Sequence, residues 1–353
     1  MSSARAIAAA WAQLRGVMIR QRPEEFTRDE WAYLIQFLAE DSLGGFIGAG
    51  PGRERVAIVL PNNVSLLGPL VLIVATLGAR VIHVKVGSRG DDVVTPFLAF
   101  ARAHAAPALR AVLDGVDSAP IERTDPRLAA WLAGADVRVA FGSDAAIAGV
   151  DALPHRAGSR FLGFGDRYSE AWLEPAAIGD DATIDTLIKV FAIYGQAGCT
   201  SPRRTVIIGG ADADARALRE RLVARWPQVI RQPVAMFHAS ANLGHAQLAR
   251  HAGADAALAP GHAAVIALAP RALAVPAGPL TLIISPAALA EAVAALPPNL
   301  QTIGTAFGET TEVRAALAAT AACRIVPLGR MHHFEPIWDG QSLPEAFFAA
   351  GPA

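Results

Sequence analysis

Residues 56–86 read VAIVLPNNVSLLGPLVLIVATLGARVIHVKV, and the fold class can be predicted from them. Short runs rich in β-branched residues stand at its two ends, residues 56–60 and 81–86. Such runs favour strands. The apolar segment between them is long enough for a crossover helix, which two parallel strands need as their connection. The stretch therefore predicts a βαβ unit and an α/β protein with a mostly parallel sheet.

The rest of the chain continues this alternation of strands and helices. Apolar residues recur at helical spacing in residues 1–50 and, on one face, in residues 181–194; residues 211–226 are also predicted to be helical. A change in character near residue 180 predicts two domains, residues 1–180 and 181–353. Further strands are predicted at residues 137–141, 160–165, 205–210, 234–237, 281–285 and 300–304.

Composition narrows the function classes. The 353 residues include 31 Lys and Arg and 32 Asp and Glu, and a net charge of −1 argues against a nucleic-acid partner. A hydrophobic content of 53% with 18% charged residues predicts a large core and a homo-oligomer interface. The most apolar stretch, residues 64–79, is too short for a bilayer span. Two cysteines form no disulfide framework, and a cytoplasmic location is predicted.

The strongest local motif is YGQAGCTSPRR, residues 194–204, which places Cys199 on a tight loop between a helix and a strand. A thiolate is a strong nucleophile, and backbone N–H groups on such a loop could face an oxyanion. The end of the preceding helix opposes thiolate formation, so Arg203, Arg204 or a bound cationic nicotinamide must compensate. An inert buried cysteine is the alternative.

Three segments, in the expected order, resemble the LuxC-type acyl-CoA reductases of the aldehyde dehydrogenase superfamily. YGQAGCTSPRRTVII, residues 194–208, is similar to the nucleophile loop of that family. RIVPLGRMHHFEPIWDG, residues 324–340, is similar to its closing segment, and LPNNVSLLGPL, residues 60–70, resembles its Pro-x-Asn turn. The resemblance implies an aldehyde dehydrogenase-like α/β fold, with a Rossmann-type nucleotide domain and a catalytic domain. It also implies NAD(P)H-dependent reduction of an acyl thioester to an aldehyde.

The resemblance implies roles for single residues as well. Cys199 would attack an acyl-CoA or acyl-carrier-protein thioester, and the Asn63 amide would donate to the developing oxyanion. The cofactor, NADPH or NADH, would be bound by four residues: Lys85, Ser88, Gly142 and Ser143. A 2′-phosphate held by Lys85 with Arg89 would favour NADPH.

Each of these residues also has a structural interpretation. Asn63 fits a turn after a strand, Lys85 a solvated lysine at a strand end, and Ser143 a plain helix N-cap.

The glutamate that activates water in oxidising aldehyde dehydrogenases is replaced by Phe161, which favours reduction over hydrolysis. Glu309 is the candidate for binding the nicotinamide ribose.

Two other function classes remain open. A cysteine hydrolase or acyltransferase would pair Cys199 with His238 or His332, and a non-catalytic subunit would only accept acyl groups. The histidines show no HExxH spacing, so no metal site is predicted.

Overall fold

The computed structural model describes residues 4–87, 92–232, 234–276, 278–307, 315, 316, 318 and 324–349. The chain forms two compact units. The first extends to Asp166 and includes the chain from Phe334 onward, and the second is Arg167–His333. This division differs from the predicted boundary near residue 180, because a strand that begins at Tyr168 belongs to the second unit and the C-terminal segment packs on the first.

The first unit is built on a five-stranded sheet. Its strands are β1 Arg55–Val59, β2 Val81–Lys85, β3 Val116–Ala119, β4 Val137–Phe141 and β5 Arg160–Phe164. They lie in the order β3-β2-β1-β4-β5, and all neighbours are parallel. The strand order reverses between β1 and β4. In open α/β sheets, ligands bind at the carboxyl ends of the strands beside such a reversal.

Eight helices surround this sheet in the described part of the first unit before residue 166. The predicted βαβ unit is confirmed, since α4 connects β1 to β2. Every residue from Gly68 to Leu77 in α4 is buried, which explains its almost continuous apolar sequence. The helices are α1 Ala4–Met18, α2 Arg28–Phe37, α3 Glu40–Gly44, α4 Leu67–Gly78, α5 Val94–His104, α6 Pro107–Leu113, α7 Pro126–Gly134 and α8 Asp144–Asp151.

The second unit contains a seven-stranded sheet in the order β12-β11-β6-β7-β10-β9-β8. Neighbours are parallel except β8 and β9. The strands are β6 Tyr168–Leu173, β7 Arg204–Ile208, β8 Asp255–Leu258, β9 Val265–Leu268, β10 Thr281–Ala287, β11 Leu300–Ala306 and β12 Arg324–Pro327. The helices are α9 Asp181–Ala192, α10 Asp212–Val229, α11 Met236–His251 and α12 Leu289–Ala294, with short 3-10 helices at Pro175–Gly179, Ile193–Gln196, Pro260–His262 and Leu328–Arg330.

Helices α9 and α10 cover one face of this second sheet. Ile184, Leu187 and Phe191 of α9 pack with Leu218 and Leu222 of α10 against the apolar side chains of that face. Asp180 is the N-cap of α9, and its side chain accepts from the backbone N–H groups of Ala182 and Thr183 in the first turn. This packing fixes the end of α9 from which the Cys199 loop departs.

One predicted strand is wrong. Residues 234–237, VAMF, were expected to be extended, but α11 begins at Met236. The Met236 and Phe237 side chains are exposed on its first turn. These four successive apolar residues do not alternate with polar residues as in a half-buried strand, and the residues that follow continue the helix.

The C-terminal segment completes the first unit. It contains β13 Ile337–Trp338, β14 Gln341–Ser342 and α13 Leu343–Phe347. The Phe334 ring packs against Phe37 and Phe46, and the backbone N–H of Arg53 donates to the Phe347 carbonyl. Within the described residues, no helix is both long and apolar enough to cross a bilayer.

Candidate active site around Cys199

The Cys199 loop begins with an unusual turn. After α9, the residues Tyr194, Gly195 and Gln196 all have positive φ angles, of 52°, 61° and 64°. Glycine adopts this conformation freely, whereas Tyr194 and Gln196 pay a steric cost of about 1–3 kcal/mol each. The turn therefore needs contacts that hold it in place.

The Gln196 side chain supplies these contacts. It is 3% exposed. Its Nε2 donates to the carbonyls of Pro202 and Thr281, at 3.0 and 2.9 Å, and its Oε1 accepts from the Thr281 N–H at 2.8 Å. Because both halves of the amide are bonded, Gln196 joins the two ends of the loop to β10.

Cys199 lies three residues further on and is partly exposed. Its carbonyl accepts from the Ser169 hydroxyl of β6 at 2.8 Å, and Ser169 is fully buried. The Ser201 N–H donates to the Gly198 carbonyl, which closes a tight turn around the cysteine. Cys199 is thus partly exposed while its backbone is held by these hydrogen bonds.

The residue after Cys199 is fixed as well. The Thr200 hydroxyl, on a residue 4% exposed, lies 2.6 Å from Nδ1 of His332. The other ring nitrogen of His332, Nε2, lies 2.7 Å from the Val190 carbonyl in the last turn of α9. A carbonyl can only accept, so Nε2 carries the proton and Nδ1 accepts from Thr200.

This arrangement makes His332 a poor general base. Burial of the ring is the main cause that lowers the pKa of His332 to about 4, and Arg324 and His333 lower it further. Both ring nitrogens already face protein partners. The other histidine of the hydrolase alternative, His238, is exposed on the first turn of α11. The geometry therefore gives that alternative no support.

The low pKa of His332 predicts acid sensitivity. The unfolded chain binds this proton near pH 6.5 and the folded chain only near pH 4. Stability should therefore fall as the pH decreases through this interval, by about 3 kcal/mol in total. Urea unfolding at pH 7 and pH 4.5 measures the loss. In His332→Gln, which does not titrate, the loss should be smaller by about 2–3 kcal/mol; an equal loss in both proteins would contradict the prediction.

The sequence suggested that Arg204 could offset the partial negative charge at the end of α9, which opposes a Cys199 thiolate. The structure does not support this role. Residues alternate between the two faces of a strand. Ser169 contacts the Cys199 carbonyl on one face, and Glu170, the register partner of Arg204, lies on the other. The Arg204 guanidinium donates to the Ser285 hydroxyl and the Leu273 carbonyl. Arg203 is the remaining candidate among the two arginines; a nicotinamide would help only in its oxidised form, since the reduced ring carries no charge.

The predicted oxyanion and ribose residues lie at the carboxyl edge of the first sheet. Asn63 is exposed on the loop that follows β1. Lys85 ends β2 and is buried, with its Nζ donating to the Val86 carbonyl at 3.1 Å. Burial lowers the pKa of Lys85, although nearby Glu122 opposes this. Lys85 is therefore not a solvated surface lysine.

Gly142 and Ser143 occupy the same edge, between β4 and α8. The Ser143 hydroxyl accepts from the Ala146 N–H at 3.3 Å and caps the helix. Asp144 and Asp166 bond each other's backbone N–H groups here. These two carboxylates compete with an anion at this helix end. Ser88, Arg89 and Glu309 lie outside the described residues.

Phe161 is a packing residue. It lies within β5, and the Arg138 guanidinium stacks on its ring at 4.8 Å. Phe161 also packs against the apolar cluster on that side of the sheet. It supplies no acid or base. Among the described residues, no three His, Cys, Asp or Glu side chains converge to hold a metal ion.

Sequence reasoning missed three residues that hold the loop. Gln196 and Thr200 lie inside the quoted motif, where their polar side chains next to Cys199 were a usable signal. Ser169 gave none, because it belongs to a strand that was not predicted.

Comparison with protein-family models identifies the chain. The model "Acyl-CoA reductase (LuxC)" matches residues 27–236, which is more than half of the sequence. The chain belongs to the LuxC acyl-CoA reductase family. This membership makes it an aldehyde-forming oxidoreductase and confirms the family resemblance. Two of the three motifs, residues 60–70 and 194–208, lie within the match. A search of curated proteins gives no match.

Solved structures confirm the aldehyde dehydrogenase-like α/β fold. Indole-3-acetaldehyde dehydrogenase complexed with NAD+ matches with a TM-score of 0.69 at 12% identity, covering 98% of this chain and 82% of its own. Aldehyde dehydrogenase 21 from Physcomitrella patens, in complex with succinate, matches at 0.68 and 13%, covering 98% and 84%. An NAD-dependent benzaldehyde dehydrogenase from Corynebacterium glutamicum matches at 0.67 and 13%, covering 98% and 84%.

Proposed function

We propose that this LuxC-family chain reduces an acyl thioester to an aldehyde through a covalent acyl-enzyme on Cys199, using a reduced nicotinamide cofactor. One observation carries the proposal. Cys199 is partly exposed on a turn that is held by hydrogen bonds from Gln196, Ser169 and His332. A reachable thiol on a rigid loop is the arrangement that covalent catalysis requires.

The reaction begins on this chain's own sulfur. The Cys199 thiolate attacks the thioester carbonyl carbon, a C–S bond forms, and the carbonyl oxygen becomes an oxyanion. Collapse of this intermediate expels the carrier thiolate, which takes up a proton, and leaves the acyl group on Cys199. We propose that the Asn63 amide stabilises the oxyanion, a contribution of about 3 kcal/mol for such a donor.

Reduction then releases the aldehyde. A reduced nicotinamide, when bound, would supply the hydride for the acyl carbon. The Cys199 thioester would then become the anion of a thiohemiacetal. Breakage of its C–S bond frees the aldehyde and restores the thiolate. Phe161 offers no base to activate water, which supports reduction as the fate of the acyl group.

The carboxyl edge of the first sheet fits a dinucleotide. Its strand order has a reversal between β1 and β4, and the solved relative complexed with NAD+ shares the fold. Lys85, Ser88, Gly142 and Ser143 are the residues that we propose to hold it. The carboxylates of Asp144 and Asp166 disfavour close approach of the pyrophosphate to α8. We propose NADPH rather than NADH, because Lys85 together with Arg89 would bind the 2′-phosphate that only NADPH carries.

The remaining parts of the proposal follow from family and composition. The substrate is an acyl-CoA or acyl-carrier-protein thioester, in keeping with the family description. A cytoplasmic homo-oligomer is proposed from the 53% hydrophobic content and the two cysteines.

Intact-mass spectrometry tests the acyl-enzyme. The protein is incubated with a series of acyl-CoA thioesters without cofactor, and one acyl group per chain should add to the mass. Addition of NADPH or NADH should then remove that group and form the aldehyde. The expected site is Cys199, because its sulfur is the nucleophile.

The two cysteines provide the control. Cys199→Ala should gain no acyl mass, whereas Cys323→Ala should be acylated as fully as the natural protein. Acylation that persists in Cys199→Ala, or an acyl-enzyme that a reduced nicotinamide leaves unchanged, would contradict the proposed function.

A further inference from the structure

A hydrogen-bonded chain of three residues connects the Cys199 loop to the end of α9. We propose that Thr200 and His332 are positioning residues that fix the direction in which the Cys199 side chain points. This inference rests on the proposed function. It assigns these two side chains a task in the reaction although neither forms a bond to the substrate.

The first step of the argument is the direction of the bonds. The His332 Nε2–H donates to the Val190 carbonyl at 2.7 Å, so Nδ1 is left as an acceptor for the Thr200 hydroxyl at 2.6 Å. Threonine is β-branched, and few rotamers are open to it. With its hydroxyl bonded to a fixed ring, the Thr200 side chain and the backbone joined to it have one orientation.

The second step concerns what holds the His332 ring. Arg324, which begins β12, is 6% exposed. Its guanidinium donates to the carbonyls of Met331 and His333, at 3.2 and 3.0 Å. The Met331 side chain is fully buried in the core beneath α9. The backbone is therefore anchored on both sides of His332, which makes the ring a rigid support.

The third step is the position of Thr200 in the loop. The Cys199 carbonyl is already bonded to Ser169, and Gln196 fixes the loop three residues earlier. On the following side, the Ser201 N–H donates to the Gly198 carbonyl and the Pro202 carbonyl accepts from Gln196. The Thr200 hydroxyl bond acts closer to the sulfur, on the residue directly after the cysteine. A nucleophile must lie within about 0.5 Å of its productive position, and an error of about 1 Å can cost about a hundredfold in rate. The Thr200–His332 bond adds a side-chain constraint at the residue joined to Cys199.

Four variants separate the two bonds of His332. Thr200→Val keeps the shape of threonine and removes the hydroxyl, and Thr200→Ser restores a hydroxyl without the methyl group. His332→Asn places an amide oxygen near the position of Nδ1, where it can accept from Thr200. His332→Gln places an amide near the position of Nε2, where it can donate to Val190.

Two rates are measured on each variant. Acylation of Cys199 by an acyl-CoA needs correct alignment, whereas alkylation of the same thiol by iodoacetamide needs only access and ionisation. Thr200→Val and His332→Gln should acylate about 10–100 times more slowly, with alkylation within about threefold of the natural protein. Thr200→Ser and His332→Asn should recover most of the acylation rate. KM for the thioester should change less than kcat.

The alternatives give different results. Equal slowing of acylation and alkylation would indicate an altered thiol rather than a misdirected one and would overturn the inference. Natural rates in Thr200→Val, or a Thr200→Ser variant as slow as Thr200→Val, would also overturn it. If the natural protein is alkylated at Cys199 but never acylated, the proposed function fails, and the inference fails with it.

Discussion

Replacement of Cys199 by alanine should reduce the turnover of an acyl thioester at least about a thousandfold while the fold stays intact. Removal of the nucleophile from a covalent mechanism leaves only the residual effect of substrate binding. The fold should survive because the loop is held by other atoms. The Cys199 carbonyl bonds to Ser169, and the Gln196 and Thr200 side chains bond to their partners independently of the sulfur.

Steady-state rates of nicotinamide oxidation and the thermal midpoint measure the two parts of this prediction. Cys199→Ser is the matched variant, since it keeps the size of the side chain but offers a hydroxyl that is not ionised at neutral pH. It should be nearly as inactive as Cys199→Ala. Cofactor affinity, measured by fluorescence titration, should be unchanged in both. Turnover within tenfold of the natural rate in Cys199→Ala would exclude the covalent mechanism.

The parts of the fold that the sequence predicts are those with a local pattern. Residues 56–86 gave β1, α4 and β2 because every residue between Gly68 and Leu77 is buried, which leaves an unbroken apolar run. The turn that carries Cys199 was predicted for a similar reason. Its glycines and its proline lie within a few residues of the sulfur, so a tight loop is predicted from the local sequence, although the role of Gln196 is not.

Other features depend on partners far along the chain. Strand β6, with the sequence YSEAWL, was missed because Ser169 and Glu170 interrupt its apolar pattern. The Ser169 hydroxyl donates to the Cys199 carbonyl, 30 residues away, and the Glu170 carboxylate accepts from Arg271, 101 residues away. The role of His332 was hidden in the same way, since Thr200 lies 132 residues earlier. No local propensity encodes such pairs.

The pair of Glu170 and Arg271 leads to the second large expected effect. Both side chains are almost completely buried, at 1% and 3% exposure, and they form an ion pair. The Trp172 Nε1–H also donates to Glu170 at 2.8 Å, and Arg271 donates to the carbonyls of Ala292 and Ala295 near the end of α12. Every charge here has its counter-charge, and several polar atoms are bonded as well.

Arg271→Met should destabilise the protein by about 3–5 kcal/mol, because it leaves the Glu170 carboxylate buried without its counter-charge. Glu170→Gln in the same chain removes that charge and keeps an acceptor for Trp172, so the double variant should be more stable than Arg271→Met alone. Urea unfolding of the natural protein, both single variants and the double variant completes the cycle. The pair lies on the face of β6 opposite Ser169, and acylation per folded molecule should therefore be unchanged. If the two substitutions were simply additive, the ion pair would carry no coupling energy, and the buried charge would not be the cause of the instability.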